Sequence, residues 1–173
     1  MEIRLDQIGD EQFRWREGLT LTDEELGATD LLTLGEIDCR GTVDTTTSGY
    51  VLRMSLAYGQ AIPCVRCLET LDQQQDVDVD LLLEVGGDTA AEDEVQLDRE
   101  DLGIVQLDEP VLDTRPMIIE QVQLGIPMKP LCRRDCAGLC SQCGMNLNEE
   151  RCSCEAVGDP RWSALAALKT LEN

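Results

Sequence analysis

The sequence predicts an α+β protein, with an antiparallel β-rich body followed by a cysteine-rich C-terminal lobe and a terminal helix. Two observations carry this prediction. Much of the chain between residues 30 and 85 alternates apolar with polar side chains, the pattern of strands with one buried face. Six of the nine cysteines then fall within residues 132–154. We expect one integrated domain of two parts, an acidic body over residues 1–113 and a lobe over residues 114–173.

The body is predicted to contain a β-hairpin whose tip carries two cysteines. Residues 51–58 collect their large apolar side chains on one face, and residues 77–85 do the same with aspartates between them. Cys64 and Cys67 lie between these two strands. A pair of cysteines two residues apart at a hairpin tip is a usual half of a zinc site. Residues 104–107 form a further predicted strand.

Two helices are predicted from their end signals. Thr22 precedes a short element as its cap, with Glu25 placed to complete a capping box. A longer helix is expected over residues 114–124, with Pro116 in its first turn and Gly125 at its C-terminal end.

The last predicted helix covers residues 160–171. Asp159 is a strong cap before a proline, and an apolar stripe follows at every third residue. This stripe is expected to pack on the sheet or on the lobe. Residues 86–101 are predicted to be a solvated acidic loop, because they hold many carboxylates and few apolar anchors.

The cysteine spacing in the lobe predicts structural metal binding. Cys140 and Cys143 are two residues apart, which lets both sulfurs face one ion, and Gly144 permits the positive φ that the turn demands. Cys152 and Cys154 supply a second pair. The chain has no histidine, so every ligand would be a thiolate, and four thiolates in a tetrahedron suit Zn²⁺.

The number of zinc ions, one or two, stays open at this point. Cys39 lies on a strand-like stretch without a neighbouring cysteine and is expected to be a buried, unreactive thiol. In the two-ion division, the last four cysteines hold one ion and the hairpin pair joins the first lobe pair on another. With a single ion, the hairpin pair joins two lobe sulfurs, or the lobe cluster acts alone. The predicted metal ligands are Cys64, Cys67, Cys132, Cys136, Cys140, Cys143, Cys152 and Cys154.

Three other uses of these cysteines are less consistent with the sequence. An odd number of cysteines and the lack of a signal-peptide pattern argue against a disulfide framework. A thioredoxin-type motif would open a helix after a parallel strand, whereas residues 64–67 lie between two predicted strands. Catalytic zinc needs an open position for water, which four thiolates do not leave. The cysteines therefore predict structural and not catalytic metal.

The net negative charge is confined to the first two thirds of the chain. Residues 1–114 hold seven arginines against 28 acidic residues, which accounts for the net charge of −21, whereas residues 115–173 are neutral. Such a body repels phosphate backbones, so we expect no DNA binding and only weak binding of naked RNA. The charge serves solubility or suits a basic protein partner. No apolar stretch approaches the roughly 20 residues of a membrane span, so a cytoplasmic location without membrane contact is expected.

Several motifs occur in a characteristic order: CVRCLE at residues 64–69, IPMKPLC at 126–132, GLCSQCGMNLN at 138–148, CSC at 152–154 and DPR at 159–161. This order resembles the bacterial YceD family, the large ribosomal RNA subunit accumulation proteins. The resemblance implies a cytoplasmic, non-enzymatic protein that supports synthesis, processing or stability of large-subunit (23S) ribosomal RNA. The zinc ligands follow from spacing and not from the resemblance.

The leading hypothesis is therefore a large-subunit biogenesis factor that contacts a basic ribosomal or assembly protein, with direct RNA contact left open. Two alternatives remain: a thiol protein regulated by zinc release and oxidation, and a general zinc-binding adaptor. Cations near the lobe form at most a weak RNA footprint; they are Lys129, Arg133, Arg134, Arg151 and Arg161.

Overall fold

The computed structural model describes residues 1–9, 11–27, 32–86, 103–154 and 161. Its strands are β1 (Glu2–Arg4), β2 (Phe13–Leu19), β3 (Thr33–Leu34), β4 (Ile37–Thr46), β5 (Gly49–Pro63), β6 (Thr70–Val85), β7 (Ile104–Leu107) and β8 (Val111–Asp113). Its helices are α1 (Asp23–Leu26) and α2 (Thr114–Gly125), besides a 3-10 turn at Leu5–Gln7. Among the described residues, no helix is both long and apolar enough to span a membrane.

These elements form a mostly antiparallel β structure with two short helices, which confirms the predicted fold class. The main sheet has the order β2-β4-β5-β6-β7, with β3 also paired to β5, and β1 pairs with β8 in a small second sheet. Apart from Gly86 and Arg161, the predicted acidic loop (86–101) and terminal helix (160–171) lie outside the described residues.

The long hairpin of β5 and β6 organises the sheet. Its register runs from Tyr50 opposite Leu83 to Pro63 opposite Thr70, so the turn carries the cysteine pair as predicted. Both strands are longer than the apolar alternation indicated. Near the tip, glutamines replace apolar residues on the inner face, and Gln60 Nε2 donates to Gln73 Oε1 at 3.2 Å. A polar pair of this kind extends the ladder without leaving an apolar signal in the sequence.

One pairing departs from the predicted antiparallel arrangement. β7 runs parallel to the end of β6, with Leu82 opposite Ile104 and Val85 opposite Leu107. Parallel neighbours need a crossover connection of about a dozen residues or more, and residues 86–103 supply that length.

The core lies on the inner face of the sheet and continues under α2. Leu52, Leu56 and Leu83 are fully buried, and Ile118 and Val122 of α2 belong to the same cluster. α2 begins and ends where the sequence predicted. Gly125 has no left-handed φ, however, and its role is close approach, because an added Cβ would lie 2.5 Å from Tyr58 Oη.

The predicted cap of α1 is confirmed. Thr22 Oγ1 accepts a hydrogen bond from Glu25 N at 3.3 Å, and the Glu25 carboxylate accepts one from Thr22 N at 2.9 Å. Gly27 ends the helix with a φ of 57°. The backbone N–H of Thr22 and the Arg115 guanidinium lower the pKa of Glu25, and the ion pair of 2.7 Å with Arg115 ties α1 to α2.

Candidate metal centres

The turn between β5 and β6 is a tight cysteine knuckle. Cys64 N donates to Glu69 O at 2.8 Å, and Leu68 N donates to Cys64 O at 2.9 Å. Closing this turn forces Leu68 to a φ of 62°, which makes it the one positive-φ residue other than glycine in the described part of the chain. Both sulfurs are buried, with Cys64 at 0% exposure. The knuckle therefore presents two thiols inward from the hairpin tip.

The segment after α2 brings two more cysteines to this knuckle. Val65 N donates to Pro130 O at 2.9 Å, which fixes the extended stretch beside the turn. Arg66 Nη1 then donates to Cys136 O at 2.7 Å. We call Cys64, Cys67, Cys132 and Cys136 the inner cluster.

The sulfurs of the inner cluster have the spacing of a tetrahedral site. Cys64 Sγ and Cys136 Sγ are 3.8 Å apart, and Cys67 Sγ and Cys132 Sγ are 3.6 Å apart. All four sulfurs lie within 4.8 Å of one another. Four sulfurs placed about 2.3 Å from one ion would be about 3.8 Å apart at the corners of a tetrahedron. The arrangement thus fits an ion at its centre without rearrangement of the backbone.

A second knuckle follows directly in the lobe. Gly144 N donates to Cys140 O at 2.9 Å, and Gly144 takes a φ of 73°, as the sequence predicted for this turn. Cys140 N also donates to Met145 O at 2.8 Å. The knuckle of residues 140–144 therefore repeats the hydrogen bond and the left-handed fifth residue of the knuckle of residues 64–68.

Four sulfurs also gather around this second knuckle. We call Cys140, Cys143, Cys152 and Cys154 the outer cluster, and its sulfurs lie within 4.8 Å of one another. Cys140 Sγ and Cys152 Sγ are 3.4 Å apart. Cys143 and Cys154 are exposed, whereas three cysteines of the inner cluster are buried and Cys132 is half-buried.

The two knuckles are hydrogen-bonded to each other. Leu139 N donates to Arg66 O at 3.0 Å, and Asn146 Nδ2 donates to Glu69 Oε1 at 2.9 Å. Gly138 makes this approach possible, because its φ is 76° and an added Cβ would lie 3.0 Å from Arg66 O. The two clusters are therefore neighbouring parts of one lobe.

Asn148 supports the inner cluster from the lobe side. Its Nδ2 donates to Cys136 Sγ at 3.4 Å, while its Oδ1 accepts from Ala137 N and from Arg133 Nη2, both at 2.8 Å. Outer groups of this kind orient metal ligands and tune their basicity. Cysteine spacing gives no sign of this role of Asn148, because the role depends on contacts between segments.

Two thiols of the inner cluster, Cys64 and Cys136, have a pKa below the ordinary value. Burial would raise the pKa of Cys64, but backbone N–H groups of Cys67, Arg66 and Cys132 lower it to about 6. The backbone N–H of Glu69 lowers the pKa of Cys67. Burial and the neighbouring thiols outweigh this effect and raise the pKa of Cys67 to about 12. Close thiols cannot all ionise unless a cation compensates their charge.

The outer cluster shows the same division. Backbone N–H groups of Cys143 and Gln142 lower the pKa of Cys140 to about 6. The hydrogen bond with Cys143 raises the pKa of Cys154 to about 12. Each cluster therefore contains at least one thiol that ionises more readily than an ordinary cysteine, and binding of a cation would favour loss of the remaining protons.

The chemistry of these sites follows from the ligands. Four sulfurs around one point suit Zn²⁺ or iron–sulfur chemistry, and a closed tetrahedron offers no position to a substrate or to water. All nine cysteines are free thiols. The structure groups the eight candidate ligands as the two-ion division expects, and Cys39 lies apart in the sheet. Burial and the nearby Glu17 carboxylate raise the pKa of Cys39 to about 11, which agrees with the expected buried thiol.

Comparison with known proteins identifies the family. The family model of the large ribosomal RNA subunit accumulation protein YceD matches residues 53–169, which include most of the long hairpin and both clusters. The chain belongs to the YceD family. This confirms the resemblance seen in the order of the motifs.

Similar chains occur in mycobacteria. The uncharacterized protein Rv2926c of Mycobacterium tuberculosis and the uncharacterized protein Mb2951c of Mycobacterium bovis are each 33% identical to this chain over 144 residues. The match covers 83% of this chain and 66% of the relatives. The uncharacterized protein ML1660 of Mycobacterium leprae is 37% identical over 57 residues, 33% of this chain and 26% of that relative. No solved structure matches the chain.

Proposed function

We propose that this protein is a non-enzymatic cytoplasmic factor that supports the accumulation of large-subunit ribosomal RNA, and that two structural zinc ions hold its lobe. The observation that carries the proposal is membership of the YceD family over a region that includes both cysteine clusters. The family description names large-subunit ribosomal RNA, and the family is not a known enzyme family.

The sulfur distances support two ions. Each cluster offers four sulfurs within 4.8 Å, and the closest pairs span 3.4 to 3.8 Å. Zinc fits both because it accepts four thiolates and imposes no geometry of its own. The inner ion would join the hairpin tip to the lobe, and the outer ion would order the lobe itself.

The charge distribution supports action through a protein partner. The carboxylates of the body repel phosphate groups and attract a basic ribosomal or assembly protein. Binding of such a protein should weaken steeply with added salt. A general zinc-binding adaptor would share the clusters but would have no reason to associate with ribosomal precursors.

Metal analysis tests the structural part of the proposal. We expect two zinc ions per chain in protein purified under reducing conditions. One ion per chain would exclude the two-site arrangement, and a metal-free protein that keeps its fold would refute the zinc assignment. If the analysis finds iron and the protein absorbs visible light, the sites would be assigned to an iron–sulfur cluster instead of zinc.

Cellular experiments test the role in RNA accumulation. Deleting the gene in its native host should lower the ratio of large-subunit to small-subunit ribosomal RNA, and the wild-type gene should restore it. Cys39→Ala is the matched control, because it removes a cysteine outside both clusters and should restore the ratio. An unchanged ratio, with the tagged protein confined to light gradient fractions, would contradict the proposed role.

A further inference from the structure

Among the described residues, part of strand β6 has a backbone edge without a strand neighbour. On one side it pairs with β5 from Thr70 to Leu83, whereas on the other side β7 pairs only with Leu82–Val85. Within the part of the chain that the structure describes, residues 70–81 have no strand neighbour on that second side. A free edge presents a row of N–H and C=O groups with which another extended chain can pair.

Within the described part of the chain, three carboxylates along this edge have no cation within ion-pair distance. Asp72, Asp76 and Asp78 are exposed, and none of them makes a hydrogen bond or ion pair with another described residue. Their partners across the ladder are small side chains without positive charge: Ala61, Ala57 and Ser55. The next carboxylate along the strand does have a cation nearby, since Asp80 lies 3.7 Å from Arg53.

The opposite face of the same strand carries glutamines near the hairpin tip and apolar side chains farther along, and two of these apolar side chains are incompletely covered. Val77 and Leu81 point to the core side but are only partly buried, unlike Leu52 and Leu56 in the middle of the sheet. A strand added beside β6 would place alternate side chains next to the carboxylates and the others next to this apolar row, because side chains alternate between faces.

We propose that the free edge of β6 binds an extended segment of a basic protein, in which Lys or Arg alternates with apolar residues, as an added strand. The identification of that partner as ribosomal rests on the proposed function; the docking mode does not. Edge charges also prevent pairing between two copies of an acidic strand. The same charges that repel a second acidic edge attract a basic one.

A synthetic peptide tests the docking mode. The probe is a peptide of about 12 residues, one for each position of the free edge, that alternates Lys or Arg with Val or Thr. We expect binding that weakens with salt and that protects amides within residues 70–81 from hydrogen exchange. A peptide of the same sequence with N-methylated central amides keeps its charge but loses its N–H donors. Equal binding of both peptides would overturn strand addition.

Charge-reversal variants test the site. Asp72→Lys, Asp76→Lys and Asp78→Lys combined should weaken peptide binding by at least about tenfold, since like charges would then face each other. The control variant carries Glu11→Lys, Glu109→Lys and Glu120→Lys, which changes the net charge equally at exposed positions elsewhere. Equal loss of binding in both variants would assign the effect to the overall field of the protein and refute the site.

A cellular arm separates this inference from the proposed function. The β6 variant should restore large-subunit ribosomal RNA poorly in the deletion strain, and the control variant should restore it well. If deletion lowers the RNA but both variants restore it fully, the proposed function stands and the docking surface is wrong. If deletion leaves the RNA unchanged while the peptide still binds β6, the surface stands and the ribosomal assignment fails.

Discussion

The inner and outer clusters use the same four-thiol chemistry in different structural settings. The inner cluster joins sulfurs that are 65 and 72 residues apart in the chain, and Arg66 and Asn148 support it. The outer cluster lies within residues 140–154, and two of its four cysteines are exposed. Identical ligands therefore give a long-range connection in one place and local order in the other.

The largest effect is expected from breaking the inner cluster. Cys64→Ser should lose one zinc ion and loosen the lobe from the hairpin tip, because three thiols no longer complete the tetrahedral site that joins these segments. Structural zinc contributes on the order of 10 kcal/mol to apparent folding free energy in small domains, so we expect a loss of several kcal/mol. Zinc analysis and thermal unfolding measure it. A variant that keeps both ions and its melting temperature would contradict the connection.

Breaking the outer cluster should have a smaller and more local effect. Cys152→Ser should lose one ion but keep the inner ion and the sheet, since the outer ligands are close in sequence. Hydrogen exchange should then increase within residues 138–154 and remain unchanged in β5 and β6. Loss of both ions in this variant would show that the clusters form one cooperative unit.

The two knuckles allow a finer comparison of their fifth residues. Leu68 is 64% exposed and adopts a strained left-handed φ of 62°. Gly144 adopts a φ of 73° without this strain, because it has no side chain. Leu68→Gly should stabilise the protein by about 0.5–1 kcal/mol, because relief of strain exceeds the entropy of glycine.

The matched change is Gly144→Leu, which should cost about 1–2 kcal/mol. An added Cβ there meets no atom within 4 Å, so only backbone strain is tested. Denaturant unfolding of the zinc-loaded variants gives both values. If Leu68→Gly destabilises the protein instead, contacts of the leucine side chain contribute more free energy than the backbone strain costs.

Cys39 supplies a cysteine outside both clusters and the smallest expected effect. Its folded pKa of about 11 exceeds the ordinary value of 9.0, so the unfolded chain releases this proton first as pH rises. The stabilising contribution is complete below about pH 9 and is lost as pH rises towards 11. The stability difference between wild type and Cys39→Ala should therefore narrow over this range in zinc-loaded protein. A constant difference would show that Cys39 has an ordinary pKa.

Local patterns predicted much of this molecule. Alternation identified the central strands, Thr22 and Glu25 marked α1, and cysteine spacing gave the two-ion division among its alternatives. The direction of β7 was not predictable, because four residues, three of them apolar, do not encode which way a strand runs. The strain at Leu68 was also hidden, since a leucine in the fifth position of a knuckle gives no sign of left-handed backbone. Such features depend on tertiary contacts.

The sequence separation within the inner cluster has a consequence for the order of synthesis. Cys64 and Cys67 leave the ribosome long before Cys132 and Cys136 exist, so the hairpin must wait with two unpaired thiols. Closing so long a loop costs conformational entropy, and the binding free energy of the ion offsets this cost only when all four ligands are present. We expect newly made chains to acquire protease resistance of the lobe only after zinc is added in a zinc-depleted translation extract. Protease resistance that appears without zinc would contradict this expectation. If resistance requires zinc, the zinc supply of the cell determines when each copy of the protein finishes folding.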